Sequence, residues 1–193
     1  MTNILNLFKF IESKEPQYQT PVKLKLLYEP ASGALIDFNT KGNLDFRNTP
    51  ITSLPDDLHI DGSLNLWGTK ITKLPDGLKV KLELIAANTP IASLPVDLVV
   101  IGTLNLFNTL ITSLPAGLRV GGTLYLSNTP ITSLPYDLVV GRDLNLSNTP
   151  ISKKYSPGEI KKMVPGVKGK IITWQTYEYN KHTKTLSRAL FTL

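Results

Sequence analysis

The sequence predicts a mainly β solenoid, which becomes an α+β solenoid once the segments flanking its repeats are counted. The first observation is a motif that returns every 20 residues, as in "GTLNLFNTLITSLPAGLRVG" from Gly102 and "GTLYLSNTPITSLPYDLVVG" from Gly122. The second is the alternation of apolar and polar residues within each copy, which is typical of short strands. A series of such units predicts a stack of coils with parallel strands.

The repeats occupy residues 42–152 as five full copies and a partial sixth, without insertions. A Leu-Pro pair marks the same place in every full copy: Leu54-Pro55, Leu74-Pro75, Leu94-Pro95, Leu114-Pro115 and Leu134-Pro135. One copy alone holds too few apolar side chains to offset the entropy lost on ordering it. We therefore expect neighbouring copies to stack and to share one core.

The pattern within a copy predicts two short strands and a bend. Leu64 and Leu66 alternate with polar residues, and Leu78 and Val80 alternate again before the next copy begins. Between the two strands, one position is always Asp or Gly, residues that tolerate turn conformations. That position, which we expect to be a bend, holds Asp57, Gly77, Asp97, Gly117 and Asp137.

The stretch "LNLWGTKITKLP" from Leu64 resembles the leucine-rich repeat pattern L-x-L-x-x-N-x-L-x-x-L-P, with Thr69 where Asn is more common. The resemblance implies a right-handed coil stack with parallel strands on a concave face and irregular backbone on the convex face. It also implies that the Thr hydroxyl satisfies backbone groups inside the turn. The short repeat and its Leu-Pro pair look like bacterial leucine-rich repeats, including those of secreted effectors and phage-encoded proteins.

One feature departs from the effector-type pattern. Those repeats usually carry a second Leu-Pro and a Leu three residues before the first Leu of the strand. This chain has Asp61, Lys81, Ile101 or Gly121 in that slot, within an L-x-V-x-G-x-L-x-L alternation. A generic parallel β-solenoid is therefore the structural alternative.

The flanking segments are expected to cap the solenoid, because terminal coils otherwise expose core and strand edges. Residues 1–41 predict a helix over 2–15 followed by a hairpin, and an independent partner-binding element is the alternative. Residues 153–193 predict a helix that begins at Ser156 and ends before Pro165, followed by a strand from Lys170. We expect both segments to be docked.

Composition excludes several classes of chemistry. The chain has no Cys, so it has no disulfide, thiolate metal site or cysteine nucleophile. His59 and His182 lack partners at metal-ligand spacing, the Ser residues recur as a repeat position, and no phosphate-binding loop is present. We therefore expect no enzymatic activity, no cofactor and no bound metal.

Charge is concentrated in one segment. The formal net charge is +6, and residues 153–193 hold nine Lys or Arg against two Glu. Capping and solubility explain this charge most simply, and contact with nucleic acid is the alternative. The candidate basic contacts are Lys153, Lys154, Lys161, Lys162, Lys168 and Lys170.

The strand positions between the buried Leu residues vary from copy to copy, whereas the Leu positions barely change. An apolar-aromatic patch with a polar rim on such strands is typical of a protein-binding surface. Its predicted residues are Arg47, Asn65, Trp67, Glu83, Ile85, Asn105, Phe107 and Tyr125. A surface covered by a cap is the alternative.

The sequence thus predicts a non-catalytic protein-protein interaction module that binds a partner through its concave strands. A structural subunit of a phage particle or another large assembly is the first alternative, and a nucleic-acid-associated protein is the second. No signal peptide or membrane-spanning run is visible in the sequence, which indicates a location in the cytoplasm of a bacterial or phage-infected cell, or in a virion.

Overall fold

The computed structural model describes residues 42–174, which form a stack of coils that contains two parallel β-sheets. The seven-stranded sheet contains β1 (Leu44–Asp45), β3 (Leu64–Asn65), β5 (Leu84–Ile85), β7 (Leu104–Asn105), β9 (Leu124–Tyr125), β11 (Leu144–Asn145) and β12 (Ile171–Ile172). The five-stranded sheet contains β2 (His59–Ile60), β4 (Lys79–Val80), β6 (Val99–Val100), β8 (Arg119–Val120) and β10 (Val139–Val140). The fold is the predicted parallel β-solenoid.

Strand pairing follows the 20-residue repeat. Leu44 pairs with Leu64, Leu64 pairs with Leu84, and the same shift continues to Leu144 along the seven-stranded sheet. The five-stranded sheet has the same shift, since Ile60 pairs with Val80 and Val80 with Val100. The prediction that residues 20 apart lie beside one another in neighbouring coils is therefore confirmed. We call each such row of equivalent residues a file.

One hydrophobic core runs through the stack. Each full coil contributes six apolar side chains, which in the second coil are Leu64, Leu66, Ile71, Leu74, Leu78 and Val80. Both sheets contribute side chains to this core, because their strand residues alternate between buried and outward positions. The near-constant letters of the repeat are thus the residues that build the core.

The repeated Thr is a buried polar residue with a structural role. Thr69 is only 3% exposed, and its Oγ1 donates a hydrogen bond of 2.8 Å to the carbonyl of Leu66. The same bond, to the carbonyl three residues earlier, recurs at Thr49, Thr89, Thr109, Thr129 and Thr149. The expectation that this hydroxyl satisfies backbone inside the turn is confirmed, and the bond lies within one coil.

The residue before this Thr connects neighbouring coils. Asn108 Nδ2 donates to Asn88 Oδ1 at 2.7 Å, and Asn148 Nδ2 donates to Asn128 Oδ1 at 2.9 Å. Every residue of this file has a positive φ, and Gly68 takes the place of Asn in the second coil. Asn and Gly are the residues that adopt this left-handed conformation at least cost, which explains why the file contains no other residue type.

The five-stranded sheet differs from what the leucine-rich-repeat resemblance implied, which was irregular backbone on the side away from the first sheet. Its strands follow from the L-x-V alternation of the sequence. Leu78 and Val80 are buried whereas Lys79 between them is exposed, so this segment has the two-residue period of a strand. In this respect the chain matches the alternative prediction, a generic parallel β-solenoid.

The C-terminal end of the stack is a helix pair followed by a strand. Helix α1 (Pro150–Lys154) and helix α2 (Pro157–Met163) precede β12, which pairs with β11 and extends the seven-stranded sheet. Ser156 is the N-cap of α2, and α2 ends before Pro165, as predicted. None of the helices among residues 42–174 has the length and apolarity that a membrane span requires. The predicted N-terminal helix and hairpin, and the segment after Trp174, lie outside the described residues.

Candidate partner-binding surface

The outward side of the seven-stranded sheet brings together all eight residues that the sequence predicted to bind a partner. They occupy three neighbouring files, which begin at Asn43, Asp45 and Arg47 in the first coil. Arg47, Trp67 and Phe107 are exposed, whereas Asn65, Glu83, Ile85, Asn105 and Tyr125 are half-buried. We call this surface the outer face of the seven-stranded sheet.

Two aromatic rings in the second and fourth coils are exposed on this face. Trp67 is 40% exposed and Phe107 is 36% exposed, and Ala87 between them in the same file is only 3% exposed. Since neighbouring strands are about 4.8 Å apart, the two rings lie on the order of 10 Å from each other. Ala87 is small and buried, so this file has two exposed aromatic residues with one small side chain between them.

Ile85 and Tyr125 extend the aromatic pair into a zigzag. They belong to the file two residues earlier in the coil and lie in the third and fifth coils, whereas Trp67 and Phe107 lie in the second and fourth. Each of these four coils therefore presents one large apolar side chain, alternately from one file and the other. The result is a row of four large side chains along the solenoid axis, which we call the apolar strip.

The polar residues in the file of Ile85 and Tyr125 have a structural function. Asn65 Oδ1 accepts a hydrogen bond of 3.1 Å from the backbone N–H of Trp67, and Asn105 Oδ1 accepts one of 3.0 Å from that of Phe107. These bonds hold the backbone where the strand ends. Asn65 and Asn105 thus position the two aromatic residues, and apolar Ile85 and Tyr125 have no such acceptor to offer.

Arg47 forms the charged end of the strip. Its Nη2 lies 2.7 Å from Asp45 Oδ2, and this hydrogen bond and the charge of Asp45 raise the pKa of Arg47. A depression of about 420 Å³ lies beside it, lined by Arg47, Asn48, Asn65, Trp67 and Ile85. An apolar side chain placed there would contact the indole of Trp67 and the aliphatic stem of Arg47.

Two residues in or just after the last strand of this sheet escaped the sequence prediction. Ile172 lies in β12 beside Asn145, in the same file as Ile85 and Tyr125, and Trp174 follows it with 48% of its surface exposed. The pairing of Leu144 with Ile171 spans 27 residues, so the 20-residue period does not reveal it. The only available signal was the β-branched run "KIIT", which predicted the strand but not its partner.

The predicted basic contacts do not share one role. The Nζ of Lys161 donates to the carbonyls of Val167 and Gly169, so this lysine fastens the segment after α2. Lys154 Nζ lies 5.1 Å from the ring centroid of Tyr155. Lys153, Lys154, Lys162, Lys168 and Lys170 are exposed.

Residues 42–174 contain no group of three His, Asp or Glu side chains that could hold a metal ion. His59 lies half-buried on the five-stranded sheet, and His182 lies outside the described residues. Comparison of the chain with protein-family models, with curated proteins and with solved structures gives no significant match.

Proposed function

We propose that this chain is a non-catalytic protein-protein interaction module that binds its partner on the outer face of the seven-stranded sheet. The proposal includes membership of the leucine-rich repeat class with short bacterial or phage-type repeats, on the strength of the motif that begins at Leu64. The observation that carries the proposal is the exposed pair Trp67 and Phe107, extended by Ile85 and Tyr125 into an apolar strip.

The repeat itself provides the argument that this strip serves recognition. The inward files hold Leu, Ile or Val in almost every coil because they build the core, whereas the outward files that begin at Asn43 and Asp45 hold Asn, Asp, Thr or Ser in most coils, and the file that begins at Arg47 varies most. Exposed aromatic residues are not needed to form a coil, since the first and sixth coils lack them at the equivalent positions. Large aromatic side chains dominate the binding energy of protein interfaces.

The strip also limits the kind of partner. It is apolar along its middle, and its polar edge contains Arg47, Glu83 and Asn105. A complementary partner would present an apolar ridge flanked by polar groups, which gives the usual arrangement of a dry centre and a wet rim.

Affinity purification from cells that express the protein tests this function. Full-length bait is compared with the Trp67→Ala/Phe107→Ala variant and with Tyr136→Ala, a matched aromatic substitution at a site that is 75% exposed and outside the strip. We expect a protein that binds the wild type and Tyr136→Ala directly, and binds the double variant about 30-fold or more weakly, as for hot-spot residues. Equal binding to all three baits, with circular dichroism showing that all are folded, would contradict the proposal.

A further inference from the structure

The outer face of the five-stranded sheet carries a second combination of apolar and charged side chains. One outward file holds His59, Lys79, Val99, Arg119 and Val139, and the other holds Asp61, Lys81, Ile101, Gly121 and Gly141. Val99 is 41% exposed and Ile101 is 63% exposed, although both are aliphatic. These two residues lie in the third coil, side by side in the two files.

A groove of about 340 Å³ runs between the two files. Its lining consists of His59, Ile60, Asp61, Lys79, Val80, Lys81, Val99 and Ile101. Arg119 follows Val99 in its file, on the far side of the apolar pair. Along this face, two lysines therefore lie in the second coil, the apolar pair lies in the third coil, and Arg119, which does not line the groove itself, lies in the fourth coil. We call this site the basic groove.

The cations of the basic groove are not neutralised by the fold. Lys79, Lys81 and Arg119 are exposed, and the one acidic side chain in the two files is Asp61. The Lys81 Nζ to Asp61 Oδ1 distance is 3.9 Å, with both side chains more than half exposed, which makes a weak ion pair. The groove thus retains a positive potential beside apolar surface.

We propose that the basic groove binds an acidic peptide segment of a partner protein, in which apolar residues are flanked by acidic ones. The charges favour an acidic ligand, because Lys81 has only the weak ion pair with Asp61, and Lys79 and Arg119 form no ion pair among the described residues. The exposed Val99 and Ile101 require an apolar group at the centre of that ligand, since covering them removes apolar surface from water.

The spacing of the coils agrees with this ligand. The second and fourth coils are separated by two strand spacings of about 4.8 Å, which is close to the length of three extended residues. A segment with acidic residues on both sides of two apolar ones can therefore place its carboxylates near the lysine pair and near Arg119 at the same time. This site lies on a different sheet from the proposed aromatic strip, so a negative binding test at one surface leaves the proposal for the other unaffected.

Fluorescence anisotropy with the full chain and three labelled peptides tests the proposal. The probe is Glu-Glu-Leu-Leu-Glu-Glu, and its controls are Glu-Glu-Ser-Ser-Glu-Glu and Lys-Lys-Leu-Leu-Lys-Lys. We expect the probe to bind about tenfold or more tightly than either control. The Lys79→Glu/Lys81→Glu variant should lose the same factor, whereas Lys70→Glu/Lys73→Glu, at exposed positions between β3 and β4, makes the same change in net charge and should retain binding.

Three outcomes would overturn the proposal. Equal binding of the probe and either control would show that the groove does not select acidic and apolar groups together. Equal loss of binding in both charge-reversal variants would show attraction by net charge alone. Sedimentation of the free chain completes the test, because concentration-dependent association that is lost in Lys79→Glu/Lys81→Glu would identify a second copy as the occupant instead.

Discussion

The repeated Thr shows how one buried hydroxyl lets a 20-residue coil close. Each of these side chains reaches the carbonyl three residues earlier, in a place that is sealed from water by the neighbouring coils. Its role was predicted from the resemblance to leucine-rich repeats, in which Asn more commonly occupies this position. The left-handed Asn before it was not predicted, although the replacement of Asn by Gly68 is a signal for positive φ.

Substitution of this Thr by its isostere Val should destabilise the fold. In Thr109→Val the bond of 2.9 Å to the carbonyl of Leu106 is lost, and a buried acceptor is left without that partner. We expect the free energy of unfolding to fall by about 1–3 kcal/mol. Denaturant-induced unfolding followed by circular dichroism measures the change.

The matched control is Thr112→Val, at an exposed position of the same coil. This variant should stay within about 0.5 kcal/mol of the wild type, as most exposed substitutions do. Equal effects of the two substitutions would refute the role assigned to the buried hydroxyl.

At the scale of elements, the C-terminal helix α2 is defined by its first turn. Ser156 Oγ accepts from the backbone N–H of Glu159, while the backbone N–H and the hydroxyl of Ser156 donate to Glu159 Oε2 at 2.8 and 2.7 Å. The sequence predicted where the helix begins from Ser156 as N-cap followed by Pro157, and the capping box with Glu159 is an addition from the structure. The two hydrogen bonds from Ser156 lower the pKa of Glu159.

This lowered pKa predicts a pH dependence for α2. The stabilisation by the carboxylate should be fully present above the ordinary Glu pKa of about 4.3, and should disappear as the pH falls through the lower pKa of the folded state. Hydrogen exchange of the Val164 N–H, which donates to the carbonyl of Ile160, reports opening of the helix. Glu159→Gln should exchange faster than the wild type at pH 7, and the difference between the two should shrink at pH 2.5.

The effect belongs to the carboxylate charge only if the difference depends on pH. A Glu159→Gln variant that exchanges faster by the same factor at both pH values would show a steric cause instead. The exchange of the Leu104 N–H, in the middle of the stack and bonded to the carbonyl of Thr123, provides the reference that should not respond.

The strands differ in how far the sequence predicted them. Those of the seven-stranded sheet follow from the L-x-L alternation, and the alternation at Leu78 and Val80 also predicted a second strand in each coil. The resemblance to leucine-rich repeats pointed the other way, because that family pattern implies irregular backbone there. The structure has a strand there, because an extended chain is what lets Val80 face the core while its neighbour Lys79 faces solvent.

At the scale of the whole molecule, the stack should tolerate the loss of one complete coil. Deletion of residues 82–101 joins Lys81 to Gly102 and leaves every file in register. Because each coil contacts only its neighbours, we expect cooperative unfolding with a smaller free energy and a smaller denaturant m-value. Deletion of residues 82–91, half a coil, places core positions against turns and should abolish cooperative unfolding.

This pair of deletions distinguishes a solenoid from an ordinary globular core. Loss of folding in both variants would mean that residues 82–101 are needed for more than one layer of the stack. The candidate surfaces depend on the same layering, which is why the sequence could place the eight residues on one face. It could not reveal that Asn65 and Asn105 are bound to backbone, because such local bonds depend on where each strand ends.

The distance between equivalent residues of separate coils tests the central claim most directly. The chain has no Cys, so nitroxide labels can be attached at Ser53→Cys combined with Ser113→Cys or with Ser133→Cys, which are exposed members of one file. Double electron–electron resonance should give about 14 Å for three coils and about 19 Å for four, a difference of one strand spacing. Distances that do not increase from the first pair to the second would contradict the stacked file, and with it both proposed binding surfaces.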